Sequence, residues 1–320
     1  MPILAEQAET ASGNAGSARR GVQILGVPLS YGQSMAGVDM GPSALRVARL
    51  RHRISALGYS VTDLGDMRLD RPESEPEAHD KLKYVKEISK ACNQVADEVE
   101  KVLTAGELPL VLGGDHSIAI GSLAGIASYF RKQSQTFGLL YFDAHADMNT
   151  PETTPSGNIH GMPLGVSLGF GAEQLTGLKD FEPKVDPRLC AHIGARDIDP
   201  GERELIRNLG IRFFTMREID ERGMSACMND AITIASGGSG GYAVTFDVDV
   251  LDPGDAPGSG TLVRGGLTYR EAHLGMEKIA EAGGMRSLEV VEINTALDVN
   301  NKTAELGVEL ILSALGKTIM

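Results

Sequence analysis

Apolar residues occur along this chain in short runs that alternate with stretches of helical spacing. Short apolar, β-branched runs predict buried strands, whereas apolar positions three and four residues apart predict amphipathic helices. Strands that alternate with helices predict an α/β fold, in which helices cover both faces of a parallel sheet. The predicted strands are Val22–Val27, Leu108–Leu112, Phe137–Phe142, Ala191–Ile193, Tyr242–Phe246 and Ser287–Val291.

Two helical segments stand out between and after these strands. Residues 84–103 carry an apolar stripe over about five turns, and residues 304–315 are apolar enough to predict a largely buried helix. Residues 1–20 are small and polar and lack the apolar region of a secretory signal, so we expect a disordered tail. Because no Pro- or Ser-rich linker interrupts the rest of the chain, residues 21–320 are expected to form a single domain.

Composition narrows the class of protein. With 43 Asp and Glu against 30 Lys and Arg, the chain has a net charge of −13, which argues against a nucleic-acid-binding protein. No apolar run approaches the roughly 18–20 residues of a membrane span. Three widely spaced cysteines indicate a reducing compartment, and we expect a cytoplasmic protein. The 39 glycines exceed the roughly 22 that average usage predicts, which indicates many tight loops.

Polar clusters follow three of the predicted strands directly, where parallel α/β sheets bind ligands. These clusters are GGDHS at 113–117, DAHAD at 143–147 and DVD at 247–249. A single Asp or His at a strand end is usually a turn or capping residue. Three clusters together, one of them with alternating Asp and His on one side of an extended chain, are better explained by a shared cation.

The clusters supply two imidazoles and four carboxylates as candidate ligands. A single structural zinc site needs four ligands and commonly uses thiolates, whereas six ligands rich in carboxylate fit two bridged divalent ions. This ligand type favours Mn²⁺, although Zn²⁺ or Co²⁺ could compete for it. Two such ions supply hydroxide at neutral pH and predict the hydrolysis of a poor electrophile. The candidate ligands are His116, Asp143, His145, Asp147, Asp247 and Asp249.

These residues and the motifs around them resemble those of a known protein family, and they occur in the same order along the chain. The chain is similar to the ureohydrolases, the binuclear-manganese arginase/agmatinase family, from about Gly21 to Gly316. The resemblance implies a three-layer α/β/α fold around a central, mainly parallel sheet and a single catalytic domain. The motifs that carry it are GGDHS, DAHAD, SGNIHG at 156–161, FDVDVLDP at 246–253, GVDMGPSALR at 37–46, GARDIDPGE at 194–202, GLTYREA at 266–272 and VEINTALD at 291–298.

The segment after DAHAD resembles arginases more than agmatinases. By this resemblance, Asn149, Ser156 and Asn158 contact the α-carboxylate of L-arginine, while Asp199, helped by Glu202, holds the α-amino group. Neutral donors suit a carboxylate and acidic groups suit an ammonium group, so the chemistry agrees with this interpretation. Agmatine lacks the α-carboxylate and would leave those donors without a partner.

The resemblance also implies the catalytic residues. His160 is expected to move protons or protonate the leaving amine, and Glu292 to orient the guanidinium group, with Thr261 close by. Asp147 is the expected proton carrier at the hydroxide. The implied reaction is hydrolysis of L-arginine to L-ornithine and urea by a hydroxide that bridges two Mn²⁺ ions per subunit.

Two alternatives stay open at this point. Another guanidino-compound hydrolase, such as an agmatinase or a guanidinobutyrase, would keep the metal ligands and change the substrate segment. An inactive arginase-like binding subunit would release no urea after manganese loading. The resemblance further implies a homo-oligomer, a trimer or a hexamer, with Arg270 and Glu271 at positions that some trimers use.

Overall fold

In the computed structural model, the described residues are 20–72, 74, 76–77 and 79–318. The predicted disordered tail at 1–20 therefore lies outside them, apart from Arg20. Eight strands occur in the described part: β1 (Val22–Val27), β2 (Val61–Asp66), β3 (Leu108–Gly113), β4 (Gly138–Phe142), β5 (Cys190–Ile193), β6 (Arg212–Phe214), β7 (Tyr242–Asp247) and β8 (Met285–Val291).

These strands form one sheet in the order β2-β1-β3-β8-β7-β4-β5-β6. Every neighbouring pair is parallel. The carboxyl ends of all the strands therefore lie at one edge of the sheet. The ends of β3, β8, β7 and β4 are consecutive there, so the loops that follow them meet.

Helices cover both faces of the sheet. One apolar core lies between the sheet and α1, α2, α8, α9, α10 and α11, and a second core lies between the opposite face and the other helices. This arrangement confirms the predicted three-layer α/β/α fold with a parallel sheet. The helices are α1 (Gly41–Val47), α2 (Leu50–Ala56), α3 (Val85–Thr104), α4 (Ala119–Lys132), α5 (Pro163–Ser167), α6 (Glu173–Thr176), α7 (Pro200–Leu209), α8 (Met216–Arg222), α9 (Met224–Ala235), α10 (Tyr269–Ala282) and α11 (Lys302–Ala314).

The predicted elements agree with the structure except at the edges of the sheet. All six predicted strands are present, and the two clearest helical segments correspond to α3 and α11. The two strands that the pattern did not predict are β2 and β6, which lie at opposite edges. In β2 polar residues interrupt the apolar ones, and β6 has only 3 residues, so neither forms an apolar run.

None of the helices in the described part combines the length and the apolar composition that a membrane span requires.

The two residues that the resemblance placed at a subunit interface make contacts within their own chain. Glu271 forms a capping box with Thr268 at the start of α10. Arg270 makes an ion pair of 3.5 Å with Glu277 on the same helix. An interface role for this pair stays a prediction.

Candidate metal centre and substrate pocket

Three carboxylates converge on one ring nitrogen of His116 at the carboxyl edge of the sheet. His116 Nδ1 lies 3.0 Å from Asp143 Oδ2, 3.1 Å from Asp147 Oδ2 and 3.2 Å from Asp247 Oδ2. One nitrogen carries at most one hydrogen, so hydrogen bonding cannot satisfy all three oxygens. Atoms that bind one octahedral cation at about 2.1 Å lie about 3.0 Å from one another, so this spacing fits a shared divalent ion.

A second cluster lies beside the first and shares Asp143 with it. His145 Nδ1 is 3.0 Å from Asp249 Oδ2 and 3.4 Å from Asp143 Oδ1. Asp143 therefore turns one oxygen toward each histidine. The second oxygen of Asp247 accepts a hydrogen bond of 2.8 Å from the amide of Asp249. The structure thus brings all six predicted ligands together, and their spacing defines two candidate cation sites.

Burial of this many carboxylates perturbs their protonation. Burial, together with the charges of Asp147 and Asp249, raises the pKa of Asp143 to about 7. Burial and the charges of Asp249 and Asp143 raise the pKa of Asp247 well above its usual value. Although burial opposes it, hydrogen bonding to these carboxylates raises the pKa of His116 well above its usual value. Bound cations would compensate the same negative charge, so the donor set fits two divalent ions.

Two carboxylates of the site sit on unusual backbone. Asp147 has a φ of 53° and Glu292 a φ of 65°, both in the left-handed region. That conformation costs a residue with a side chain about 1–2 kcal/mol. Such strain is typical of functional sites, where the surrounding structure holds the residue in place.

A row of buried side chains crosses the sheet directly beneath the candidate metal ligands. Tyr141 on β4, Thr245 on β7 and Glu289 on β8 are neighbours in register. Side chains two residues apart on a strand point to the same face, so Tyr141 lies below Asp143 and Thr245 lies below Asp247. Tyr141 donates a hydrogen bond of 2.7 Å from its hydroxyl to Asp147. The sequence analysis did not identify these supporting residues.

Thr245 and Glu289 fix the tautomer of His116. Thr245 Oγ1 donates to Glu289 Oε1 at 2.7 Å and lies 3.0 Å from His116 Nε2. Because the single hydroxyl hydrogen goes to Glu289, Thr245 can only accept from His116, whose Nε2 therefore carries a hydrogen. With a cation bound, the imidazole is neutral, and this tautomer turns the lone pair of Nδ1 toward the cation, which is the orientation that a metal ligand needs.

We expect Thr245→Val to weaken Mn²⁺ binding about 10–100-fold, because outer hydrogen-bond partners of metal ligands typically contribute that much. The substitution removes the acceptor for His116 Nε2 and one hydroxyl that donates to the buried Glu289. Calorimetric titration of the metal-free protein measures the affinity. Thr245→Ser keeps the hydroxyl and is the matched control. Equal Mn²⁺ affinity in both variants would show that the hydroxyl does not support the metal centre.

A cavity of about 140 Å³ lies next to the two clusters. One wall carries the acidic residues predicted to bind an ammonium group. Asp199 and Glu202 form a capping box at the start of α7. Glu202 is buried and accepts from the amides of Met148 at 3.0 Å and Asp199 at 2.8 Å. Burial raises the pKa of Glu202 to about 7. Asp199 is the less buried carboxylate of the two.

The predicted carboxylate-binding residues occupy two parts of the cavity wall. Asn149 is buried and donates from Nδ2 to Asp199 Oδ2 at 2.9 Å. Its side-chain amide therefore lies directly beside the acidic wall. Ser156 is exposed at the mouth, and its hydroxyl oxygen accepts a hydrogen bond of 3.2 Å from the main-chain amide of Asn158. Polar neutral groups thus line the outer part of the cavity.

The predicted catalytic residues lie at the inner end. His160 lines the cavity, and its Nδ1 is 3.0 Å from Glu292 Oε1. Although burial opposes it, the hydrogen bond to Glu292 raises the pKa of His160 to about 9. Thr261 also lines the cavity and donates to Asp249 Oδ2 at 2.9 Å, so its hydroxyl contacts a candidate metal ligand. His116, Asp143 and Glu292 are fully buried behind the cavity surface. The structure brings all the predicted residues together, and their individual roles remain predictions.

Parallel α/β sheets bind ligands at their carboxyl edge, and two linked clusters of His and Asp at that edge fit the paired cations of metal-dependent hydrolases. The family model described as Arginase family matches residues 20–316. The arginase of Bacillus caldovelox is 47% identical over 300 residues, which cover 93% of this chain and 99% of that protein. The chain belongs to the arginase family.

Solved structures agree with this assignment. A structure of the Bacillus caldovelox arginase has a TM-score of 0.90 at 45% identity and covers 94% of this chain and 100% of that one. The Entamoeba histolytica arginase in complex with L-ornithine has a TM-score of 0.86 at 28% identity, with 93% of this chain and 99% of that one covered. The similarity extends over nearly the whole length of these relatives.

Proposed function

We propose that this chain hydrolyses L-arginine to L-ornithine and urea. One observation carries the proposal: a single cavity has an acidic wall, a neutral polar mouth and two linked His/Asp clusters beside its inner end. L-Arginine presents an ammonium group, a carboxylate and a guanidinium group. The acidic wall suits the ammonium group, the neutral donors at the mouth suit the carboxylate, and the inner end with its clusters suits the guanidinium group. The curated arginase relatives support the same substrate.

Two Mn²⁺ ions are the proposed cofactor. His116 and Asp147 would hold one ion and His145 and Asp249 the other, with Asp143 and Asp247 shared between them. When bound, two such ions lower the pKa of a bridging water and so supply hydroxide at neutral pH. The mixture of carboxylate and imidazole ligands supports manganese over the other first-row ions.

Three residues of the chain act on the substrate and on protons in this proposal. Glu292 orients the guanidinium group, which brings its central carbon into line for attack. Asp147 takes up the proton that the attacking hydroxide releases. His160, whose raised pKa of about 9 keeps it protonated at neutral pH, gives a proton to the ornithine nitrogen as the bond from that nitrogen to the guanidinium carbon breaks.

The substrate is tested by comparing urea release from L-arginine and from agmatine by the Mn²⁺-loaded protein. We expect a larger kcat/KM for L-arginine, because the neutral groups at the mouth would have no partner in agmatine. Faster turnover of agmatine would contradict the proposed substrate and favour the alternative guanidino-compound hydrolase. No urea from either compound, with metal bound, would favour an inactive binding subunit.

We expect Asn158→Ala to raise KM for L-arginine about tenfold and to change kcat less, because its amide is proposed to contact the carboxylate, which does not react. Steady-state kinetics measure both constants. Agmatine is the internal control, because its turnover should be nearly insensitive to this substitution. A fall in kcat with unchanged KM would argue against carboxylate binding by Asn158.

The assembly, domain organisation and location are also proposals. A homo-oligomer, a trimer or a hexamer, is proposed on the family resemblance, because oligomers are common in that family. A single catalytic domain over residues 21–320 is supported by one continuous sheet. The cytoplasmic location is supported by three buried cysteines without a disulfide.

A further inference from the structure

We propose that three consecutive residues, Gly32, Gln33 and Ser34, position the substrate-binding side chains of the site. This segment, called the 32–34 segment here, lies in the loop between β1 and the short 3₁₀ helix Val38–Met40. The proposal rests on the proposed function, because the side chains that the segment contacts are those assigned to the guanidinium group, the leaving amine and the α-carboxylate.

Gly32 connects the loop after β3, which carries Asp115 and His116, to His160 through its main chain. Its amide donates to Asp115 Oδ2 at 2.8 Å, and its carbonyl accepts from the His160 amide at 3.0 Å. Asp115 is fully buried and directly precedes the candidate ligand His116. A Cβ at position 32 would lie 2.4 Å from Asp115 Oδ1, so a larger residue there would displace the buried Asp115 side chain or the loop.

Gln33 holds the carboxylate of Glu292. Its side chain is 8% exposed, and Nε2 donates to Glu292 Oε2 at 2.6 Å. The other oxygen of Glu292 accepts from the His116 amide at 2.9 Å and from His160 Nδ1 at 3.0 Å. A carboxylate has about four acceptor positions, so three are filled and one on Oε2 remains.

This count limits how Glu292 can bind a guanidinium group. With Gln33 in place, one N–H of the guanidinium group can donate to the remaining position on Oε2. Without Gln33, that oxygen would accept two N–H groups, and the carboxylate could rotate to form a two-pronged pair. Gln33 therefore selects the orientation of the guanidinium group, and with it the approach to its central carbon.

Ser34 acts at the other end of the substrate. Ser34 Oγ lies 3.1 Å from Nδ2 and 3.2 Å from Oδ1 of Asn158. Lys83 Nζ also donates to Asn158 Oδ1, at 3.4 Å. These contacts hold the amide that is proposed to meet the α-carboxylate. Adjacent residues of the 32–34 segment thus govern opposite ends of one substrate, which predicts separable kinetic effects.

Gln33→Met and Ser34→Ala in the Mn²⁺-loaded protein test this inference. Gln33→Met keeps the length of the side chain and removes its donor, so we expect kcat for L-arginine to fall about 10–100-fold, with KM changed less than about threefold. We expect the affinity for L-ornithine, which has no guanidinium group, to be unchanged. Ser34→Ala should raise KM and the L-ornithine Kd about 3–10-fold and leave kcat within about twofold.

Met35→Leu is the matched control, because Met35 follows in the same loop and is 43% exposed. It should behave like the unmutated protein. Bound manganese and the melting temperature, measured for each variant, separate a loss of position from a loss of fold. If Gln33→Met does not fold, Gln33→Leu gives the same test, because it also removes the donor without adding a charge beside Glu292 and should lower kcat.

Two outcomes would overturn the inference. One is full kcat in a folded, metal-loaded Gln33→Met. The other is an L-ornithine Kd that rises equally in Gln33→Met and Ser34→Ala, which would indicate a general disturbance of the loop. Failure of the unmutated protein to release urea from L-arginine would instead refute the proposed function, and the role of the segment with it.

Discussion

Replacing Asp143 with alanine is expected to abolish urea formation from L-arginine, with a loss of about a thousandfold or more. Asp143 is the carboxylate that turns one oxygen toward His116 and the other toward His145, at 3.0 and 3.4 Å. Its removal takes a shared ligand from both candidate cation sites. The bound Mn²⁺ should therefore fall from two ions per chain to fewer than one, as elemental analysis would measure.

The matched control for this prediction is Asp180→Asn, which neutralises an exposed acidic residue outside the clusters. It should keep both activity and metal content. An Asp143→Ala protein that still binds two Mn²⁺ ions would contradict the bridging role. Normal urea formation by that variant would contradict the assignment of the clusters as the catalytic centre.

Removing the metals is expected to lower the melting temperature by about 5–10 °C at pH 8. A ligand at about 1,000 times its Kd stabilises the folded state by about 4 kcal/mol, and a chain of this size gains a few degrees per kcal/mol. Calorimetry of the protein with and without a chelator measures the difference. Returning Mn²⁺ to the chelated protein should restore the higher melting temperature.

This destabilisation should be smaller at pH 6 than at pH 8. In the metal-free cluster, burial and neighbouring carboxylates raise the pKa of Asp143 to about 7, above its ordinary value in the unfolded chain. The folded metal-free protein therefore binds more protons than the unfolded chain, and its stability falls as the pH rises through about 7. Protons also compete with Mn²⁺ at low pH. A larger effect of chelation at pH 6 would contradict mutual repulsion within the cluster.

The sequence predicted the centre of the sheet and the polar clusters at its carboxyl edge. Both could be predicted because buried parallel strands are continuous apolar runs, and because the candidate ligands follow them within a few residues. The strands β2 and β6 could not be predicted in the same way. Each lies at an edge of the sheet, where one neighbour is missing and an apolar run is not required.

The supporting residues of the site escaped sequence reasoning for a different reason. Thr245 and Glu289 belong to apolar strands, where isolated polar residues give no sign of their partners. Their hydrogen-bonded chain to His116 depends on the register of β7 with β8 and on the position of the loop after β3. Gln33 contacts a residue 259 positions away in the chain. Such contacts are set by tertiary packing, and local patterns do not encode them.

The most direct test of the two-metal proposal is a titration of the metal-free protein with Mn²⁺, with bound metal and urea release from L-arginine measured on the same samples. Because Asp143 contributes to both clusters, we expect activity to reach its maximum when two Mn²⁺ ions are bound per chain. Full activity with one ion bound per chain, or with none, would contradict hydrolysis by a metal pair.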